Sequence, residues 1–215
     1  MEKKQNFIEV TRTAEYYSLI PADTKPVKVL FVIHGYMQLP KYFIDHFSNL
    51  PELGIAVIAP SGLSLSYQSG FDGRVGASWM TKHNREKEIK DYLAYLDQLY
   101  AEIQNTFPKC KRFELLGFSQ GSATATRWFS SSKNLLDAII LSAGYVPEDV
   151  DFERLRQRLN DGTIQFYAGS KDSYLTEERV EAHKNLLNKN SIPFKITRFD
   201  GGHEIPSSAL YEYFS

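Results

Sequence analysis

The chain has 215 residues, of which 42% are hydrophobic and 24% charged, so it can bury a sizeable core, and its length suits one domain over residues 1–215. Lys plus Arg number 25 and Asp plus Glu number 26, so the net charge of −1 gives no reason to expect a nucleic acid or an anionic membrane as partner. The single cysteine, Cys110, excludes an intrachain disulfide framework and a cluster of thiolate metal ligands, and it favours a cytoplasmic location.

The N-terminal region is charged and lacks the apolar core of about 7–15 residues that a secretory signal needs. The longest apolar run covers residues 29–33, far short of the roughly 20 residues that cross a bilayer. We therefore expect neither a signal segment in the sequence as given nor a membrane span.

The strand predictions begin with two extended stretches, residues 7–12 and 14–20, which are interpreted as an N-terminal hairpin. Residues 27–33 form a continuous apolar run rich in β-branched side chains, as expected of a strand buried on both faces. Similar runs predict further strands over residues 55–59, 113–116, 138–141, 164–168 and 194–199.

Helical patterns lie between most of these runs. Residues 86–106 repeat apolar side chains at the spacing of an amphipathic helix, and further helices are predicted over residues 120–130, 152–159, 177–188 and 206–214. Alternating strands and helices predict an α/β fold, with a mostly parallel central sheet flanked by helices on both faces. In such sheets functional groups gather where the strands end.

A candidate nucleophile follows the predicted strand over residues 113–116. The segment reads Gly117-Phe118-Ser119-Gln120-Gly121, the G-x-S-x-G pattern, between a strand and a helix as the motif requires. The two glycines allow strand and helix to approach while Ser119 projects from a sharp turn. The alternative is a glycine-rich turn with an incidental serine.

A serine hydroxyl needs a base to remove its proton, and His203 is the candidate. His203 follows the last predicted strand on a glycine-containing loop, whereas His183 lies within a predicted helix and is expected to be an exposed surface residue. The alternative for His203 is likewise a surface histidine on a loop.

Asp172 is the candidate carboxylate that would orient the base. It ends the segment that precedes the last strand, and the order Ser119, Asp172, His203 is that of α/β-hydrolases. Asp149 and Asp151 follow an earlier strand and are held in reserve. The alternative for Asp172 is a turn-forming or helix-capping aspartate.

Acyl transfer also needs donors for a developing oxyanion. The backbone N–H groups of Tyr36 and Gln120 are the candidates, with that of Met37 as the fallback. The neighbouring His34 has no acidic or histidine partner at ligand spacing, so it is interpreted as a structural residue.

Substrate contacts are predicted in the long connection over residues 61–84, which looks irregular. Trp79 and Met80 could form an apolar wall there, and Met37 is a third candidate contact; the alternative is a loop that tucks its aromatic residues onto the core. The gap over residues 144–163 fits one short helix, so we expect an open cleft with no large lid.

These motifs resemble the phospholipase/carboxylesterase family of small α/β-hydrolases, which includes acyl-protein thioesterases. The resemblance covers nearly the whole chain after Lys28 and rests on four segments: His34-Gly35, Gly117-Phe118-Ser119-Gln120-Gly121-Ser122, Gly169-Ser170-Lys171-Asp172 and Gly202-His203-Glu204-Ile205-Pro206. It implies the α/β-hydrolase fold, a triad of Ser119, Asp172 and His203, an oxyanion hole near Tyr36 and Gln120, and hydrolysis of esters or thioesters without a cofactor. The chain departs from the family at Tyr36-Met37-Gln38 and at Ser173-Tyr174-Leu175-Thr176.

The leading hypothesis is a serine esterase or thioesterase that acts on a small-molecule substrate through an acyl-serine intermediate. A peptidase of the same fold and a non-catalytic small-molecule binding protein on a hydrolase scaffold stay open as alternatives. No metal is expected, because no H-E-x-x-H or comparable spacing occurs. The sequence leaves a homodimer open.

Overall fold

A seven-stranded sheet forms the centre of the molecule in the computed structural model, which describes residues 1–22 and 25–215. Its strands are β1 (Tyr16–Leu19), β2 (Lys28–Ile33), β3 (Ile55–Pro60), β6 (Phe113–Phe118), β7 (Ala138–Ser142), β8 (Ile164–Gly169) and β9 (Phe194–Phe199). They lie in the order β1-β3-β2-β6-β7-β8-β9, and every pair is parallel except β1 with β3. The predicted mostly parallel sheet is confirmed.

Helices cover both faces of this sheet. They are α1 (Pro40–Phe43), α2 (Arg85–Thr106), α3 (Gln120–Ser131), α4 (Phe152–Leu159), α5 (Glu177–Lys189) and α6 (Ser207–Phe214), with two 3₁₀ turns at Ile44–Phe47 and Leu50–Leu53. Strand β2 shows why both faces need cover. Phe31 packs into an apolar cluster with α2 and α3, whereas Leu30 and Val32 pack into a second cluster that includes Phe47 and Leu210.

The N-terminal hairpin predicted over residues 7–12 and 14–20 is wrong. Residues 7–12 form no strand and are exposed, and β1 instead pairs antiparallel with β3, with Tyr16 opposite Pro60. Tyr16 packs against the core and its hydroxyl donates to Glu102 at 2.8 Å, whereas Phe7 and Ile8 remain exposed. The sheet edge thus gives β1 a partner that local sequence does not reveal.

The connection over residues 61–84 is more ordered than its sequence suggests. It contains a two-stranded hairpin of β4 (Ser64–Tyr67) and β5 (Val75–Ser78). Backbone hydrogen bonds tie β5 to the loop after β2: the Met37 N–H donates to Ala77 O at 2.8 Å, and the Ala77 N–H donates to Gln38 O at 3.1 Å. The hairpin is therefore fixed beside the end of β2.

The connection between β7 and β8 contains one helix, α4, as predicted. Asp151 caps α4, since its side chain accepts a hydrogen bond from the Arg154 N–H. In the described part of the chain, no helix combines the length and the apolar character that crossing a membrane requires.

Candidate active site

Ser119 lies at a strained turn between β6 and α3. Its φ of 52° is in the left-handed region, and its N–H donates to Ser142 O at 2.9 Å, which holds the turn against β7. The motif glycines allow this approach: a Cβ on Gly121 would lie 2.2 Å from Ile33 O, and one on Gly117 would lie 2.5 Å from Gly121 O. The turn places the Ser119 hydroxyl at the carboxyl edge of the sheet.

The structure brings the three predicted triad residues into hydrogen-bond contact. His203 Nε2 lies 2.9 Å from Ser119 Oγ, and His203 Nδ1 lies 2.8 Å from Asp172 Oδ2. The other carboxylate oxygen, Asp172 Oδ1, accepts from the backbone N–H groups of Tyr174 and Leu175 at 2.8 and 3.2 Å. With the Nδ1 proton donated to Asp172, His203 Nε2 is free to accept the proton of Ser119.

Two aromatic rings hold the His203 imidazole. The ring centroid of Phe118, at the end of β6, lies 5.1 Å from that of His203. The ring centroid of Tyr174 lies 4.7 Å from that of His203. Tyr174 is 63% exposed, so it also forms part of the rim. In the sequence, the segment around Tyr174 stands out only as a departure from the family, and no local pattern indicates its contact with His203.

The two reserve acids are engaged elsewhere. Asp149 accepts hydrogen bonds from Arg127 and pairs with Arg85 at 2.9 Å, while Asp151 caps α4. Burial raises the pKa of Asp149, but the two arginines outweigh it and bring that pKa down to about 2. Neither acid contacts His203, so Asp172 is the carboxylate that the structure places at this histidine.

The two candidate oxyanion donors belong to residues that line the same cleft as Ser119. Tyr36 and Gln120 both line its cleft, and the Gln120 N–H is the first of α3, so its helix offers it no acceptor. The Gly35 N–H donates to Gln38 Oε1 at 2.7 Å, which folds the loop that carries Tyr36. The prediction of Met37 as the fallback oxyanion donor is wrong, because its N–H already donates to Ala77 O.

The predicted contacts from residues 79 and 80 do not reach the cleft. Trp79 is 1% exposed, and its indole N–H donates to His34 O at 2.9 Å, so the expected acyl wall at this residue is wrong. Met80 is half-buried, and its sulfur faces Arg127 at 3.7 Å. The Gln120 side chain binds the backbone of both residues, at Trp79 N and Met80 O, and fixes this strand end to the turn at Ser119.

Met37 lines a separate cavity of about 600 Å³ between α1 and the β4–β5 hairpin. The Ser119 cleft itself has a volume of about 500 Å³, and its walls come from the loops after β2, β7 and β8 and from the start of α5. In the part of the chain that the structure describes, no group of three or more His, Cys, Asp or Glu side chains could hold a metal ion.

Two further histidines are buried and neutral. His34 Nε2 accepts from the Gly62 N–H at 2.9 Å, as expected of a structural residue. The prediction that His183 is exposed is wrong: it faces inward from α5, and its Nε2 accepts from the Val146 N–H at 3.0 Å. It shares this inner face with Val180 and Leu187, and their i, i+3, i+7 spacing is the signal that could have found it. Burial lowers the pKa of each of these two histidines to about 4.

These two histidines should make the fold sensitive to acid. Because their folded pKa lies below the ordinary value, the unfolded chain binds more protons between about pH 6.5 and 4. Their contribution is therefore complete above about pH 6.5 and is lost as the pH falls toward 4. In urea unfolding, the free energy of unfolding should be lower at pH 4.5 than at pH 7, with about 2 kcal/mol of the difference due to each histidine.

His183→Gln should remove its share of this pH dependence, whereas the same change at exposed His46 should not. If the free energy of unfolding fell equally between pH 7 and pH 4.5 in the wild type and in His183→Gln, buried His183 would not be a source of the pH dependence.

Comparison with known proteins places the chain in a family and a fold. A family model described as serine hydrolase (FSH1) matches residues 23–213, and no curated protein has a significantly similar sequence. The esterase PE8 structure is similar, with a TM-score of 0.70 and 18% identity over 94% of this chain and 97% of that one. The structure of Zea mays acyl-protein thioesterase 2 has a TM-score of 0.66 and 16% identity over 94% of this chain and 96% of that one. The structure of Bacillus cereus carboxylesterase has a TM-score of 0.65 and 16% identity over 94% of this chain and 93% of that one.

These structural likenesses confirm the predicted α/β-hydrolase fold, and the family match covers most of the chain. The protein belongs to the FSH1 family of serine hydrolases.

Proposed function

We propose that this protein is a serine carboxylesterase or thioesterase that forms an acyl-enzyme on Ser119. The observation that carries the proposal is the continuous hydrogen-bond chain from Ser119 through His203 to buried Asp172, at 2.9 and 2.8 Å. Its structural neighbours are named as esterase, acyl-protein thioesterase and carboxylesterase, so both oxygen and sulfur leaving groups enter the proposal.

In the first half-reaction, His203 Nε2 removes the proton from Ser119 as its oxygen attacks the substrate carbonyl. Asp172 stabilises the resulting imidazolium and keeps the ring oriented. The negative charge that develops on the carbonyl oxygen is stabilised by hydrogen bonds that the N–H groups of Tyr36 and Gln120 donate to it. Loss of one such donor typically costs a factor of about 10² to 10³ in kcat.

In the second half-reaction the leaving alcohol or thiol has departed with the proton that His203 carried. Water then enters, His203 removes its proton, and the resulting attack releases the acid and restores Ser119. All groups needed for both steps belong to the chain, so the proposed reaction uses no cofactor. We place the reaction in the cytoplasm on the strength of the single unpaired cysteine, Cys110.

The substrate we propose is a small-molecule ester or thioester. The cleft is about 500 Å³ and is lined mainly by aromatic and small side chains, which suits a short or medium acyl group. The connection after β7 contains no helix besides α4, so it provides no large lid over Ser119.

A substrate panel tests the function. Purified protein without added metal or cofactor should hydrolyse p-nitrophenyl acetate, butyrate and octanoate as well as an S-butyryl thioester. Preincubation with a fluorophosphonate should abolish each activity, since it blocks an activated serine. Absence of turnover for every ester and thioester, with the protein folded, would contradict the proposed function.

A further inference from the structure

A single permanent charge lines the Ser119 cleft. Among the described residues of its wall, Arg179 is the only Lys, Arg, Asp or Glu, and its neighbours there include Tyr36, Tyr145, Tyr174 and Leu175. A guanidinium at the edge of an otherwise uncharged cleft provides one site that discriminates between neutral and anionic ligands.

Arg179 has no carboxylate partner among the residues that the structure describes. Its Nη1 donates to Tyr174 O at 3.0 Å, which leaves most of its five N–H donors available. The nearby acid Glu177 is paired with Arg198 at 2.8 Å instead. The arginine is thus anchored by one bond while its charge remains uncompensated.

The position of Arg179 is not explained by the energetics of its helix. Arg179 lies in the first turn of α5, three residues after the N-cap Thr176. At this end the helix dipole favours acidic residues, such as Glu177 and Glu178, and disfavours a cation. A ligand anion in the cleft would offset this unfavourable placement.

Contacts through Tyr174 link Arg179 to His203. In the proposed mechanism His203 returns its proton to the departing alcohol or thiol, so that group must lie next to the imidazole. Tyr174 packs on this ring at 4.7 Å and its carbonyl accepts the Arg179 hydrogen bond. The contacts run directly from His203 through Tyr174 to Arg179.

We propose that Arg179 selects esters or thioesters whose leaving group carries an anion, either a carboxylate or a phosphate. This inference rests on the proposed function, and it adds the chemical class of the substrate. Arg179 can present two parallel N–H donors to either oxyanion, while the aromatic rim contacts the rest of the leaving group.

The test uses butyrate esters that share one acyl group and differ only in the phenol that leaves. The anionic pair are the butyrates of 4-hydroxyphenylacetate and of 4-hydroxybenzyl phosphate, and the neutral reference is that of 4-hydroxyphenylacetamide. A fourth ester, p-nitrophenyl hemisuccinate, places the carboxylate on the acyl side. Because kcat/KM reports the acylation step, differences among the three butyrates arise from the leaving group.

Wild type should prefer one or both anionic butyrates to the neutral one by about 5-fold in kcat/KM at low salt, and added salt should reduce the preference. Arg179→Gln should lose the preference, because its KM should rise more for the anionic butyrates than for the neutral one, and Arg179→Lys should retain part of the preference. The carboxylate and phosphate arms show which anion is favoured. Arg198→Gln is the matched control, since it removes a nearby charge that does not line the cleft.

Several outcomes would overturn the proposal. Equal kcat/KM for the anionic and neutral butyrates, or an unchanged preference in Arg179→Gln, would exclude selection by this residue. Equal losses on all esters would assign Arg179 a structural role in holding Tyr174. A loss confined to the hemisuccinate would place the anion on the acyl side. Failure of the proposed function is distinct, because no ester would then be hydrolysed by the wild type.

Discussion

Replacing Ser119 with alanine should lower kcat on p-nitrophenyl butyrate by about 10⁴- to 10⁶-fold while leaving the protein folded. The Ser119 hydroxyl is the atom that would form the covalent bond, and His203 cannot supply a substitute for it. Alanine keeps the Cβ at the same strained φ of 52°, so the turn between β6 and α3 should survive. Steady-state kinetics and a thermal melt of both proteins check the two halves of this expectation.

Ser131→Ala is the matched control for this variant. Ser131 lies at the other end of the same helix, and its hydroxyl donates to Arg127 O at 2.7 Å. Its kcat should stay within about twofold of the wild type. Ser119→Ala protein with undiminished turnover would exclude Ser119 as the nucleophile.

Asp172→Asn should lower kcat by about 10⁴-fold, an effect of the size associated with the wrong histidine tautomer. Two backbone N–H groups, of Tyr174 and Leu175, donate to Asp172 Oδ1. These donors would hold the amide oxygen of asparagine in that position and point its NH₂ at His203 Nδ1. The imidazole would then carry its proton on Nε2, where it could no longer accept the proton of Ser119.

Asp149→Asn serves as the control for the loss of one ion-paired carboxylate elsewhere in the molecule. Asp149 pairs with Arg127 and Arg85, so its replacement should lower the free energy of unfolding without slowing ester hydrolysis. If Asp172→Asn retained kcat within tenfold of the wild type, Asp172 would not be orienting His203.

The strand ends made much of the candidate site predictable from sequence. Parallel strands place their carboxyl ends at one edge, so Ser119, Asp172 and His203 could be grouped although 84 residues separate the first from the last. The glycines of the motif added the local geometry, because Gly121 can only be a glycine where α3 crosses the end of β2.

The parts that sequence did not predict depend on tertiary contacts. Trp79 was expected to contact substrate from an irregular loop. It is buried instead, directly after the β4–β5 hairpin, and its backbone N–H donates to the Gln120 side chain. His183 looked like a surface residue because a histidine on a charged helix usually is one, yet the inner face of α5 buries it. Arg179 could not be assigned to the cleft from sequence, because its link to the site runs through Tyr174, which packs on His203.

The most direct measurement is identification of the side chain that reacts with a serine-directed fluorophosphonate. Wild-type protein treated with a fluorophosphonate should gain one label, and tandem mass spectrometry of its peptides should locate that label on Ser119. Ser119→Ala should take up none, and Asp172→Asn should be labelled far more slowly, because its histidine no longer activates the serine. A label on another side chain, or ester hydrolysis that persists without any labelling of Ser119, would contradict an acyl-serine mechanism.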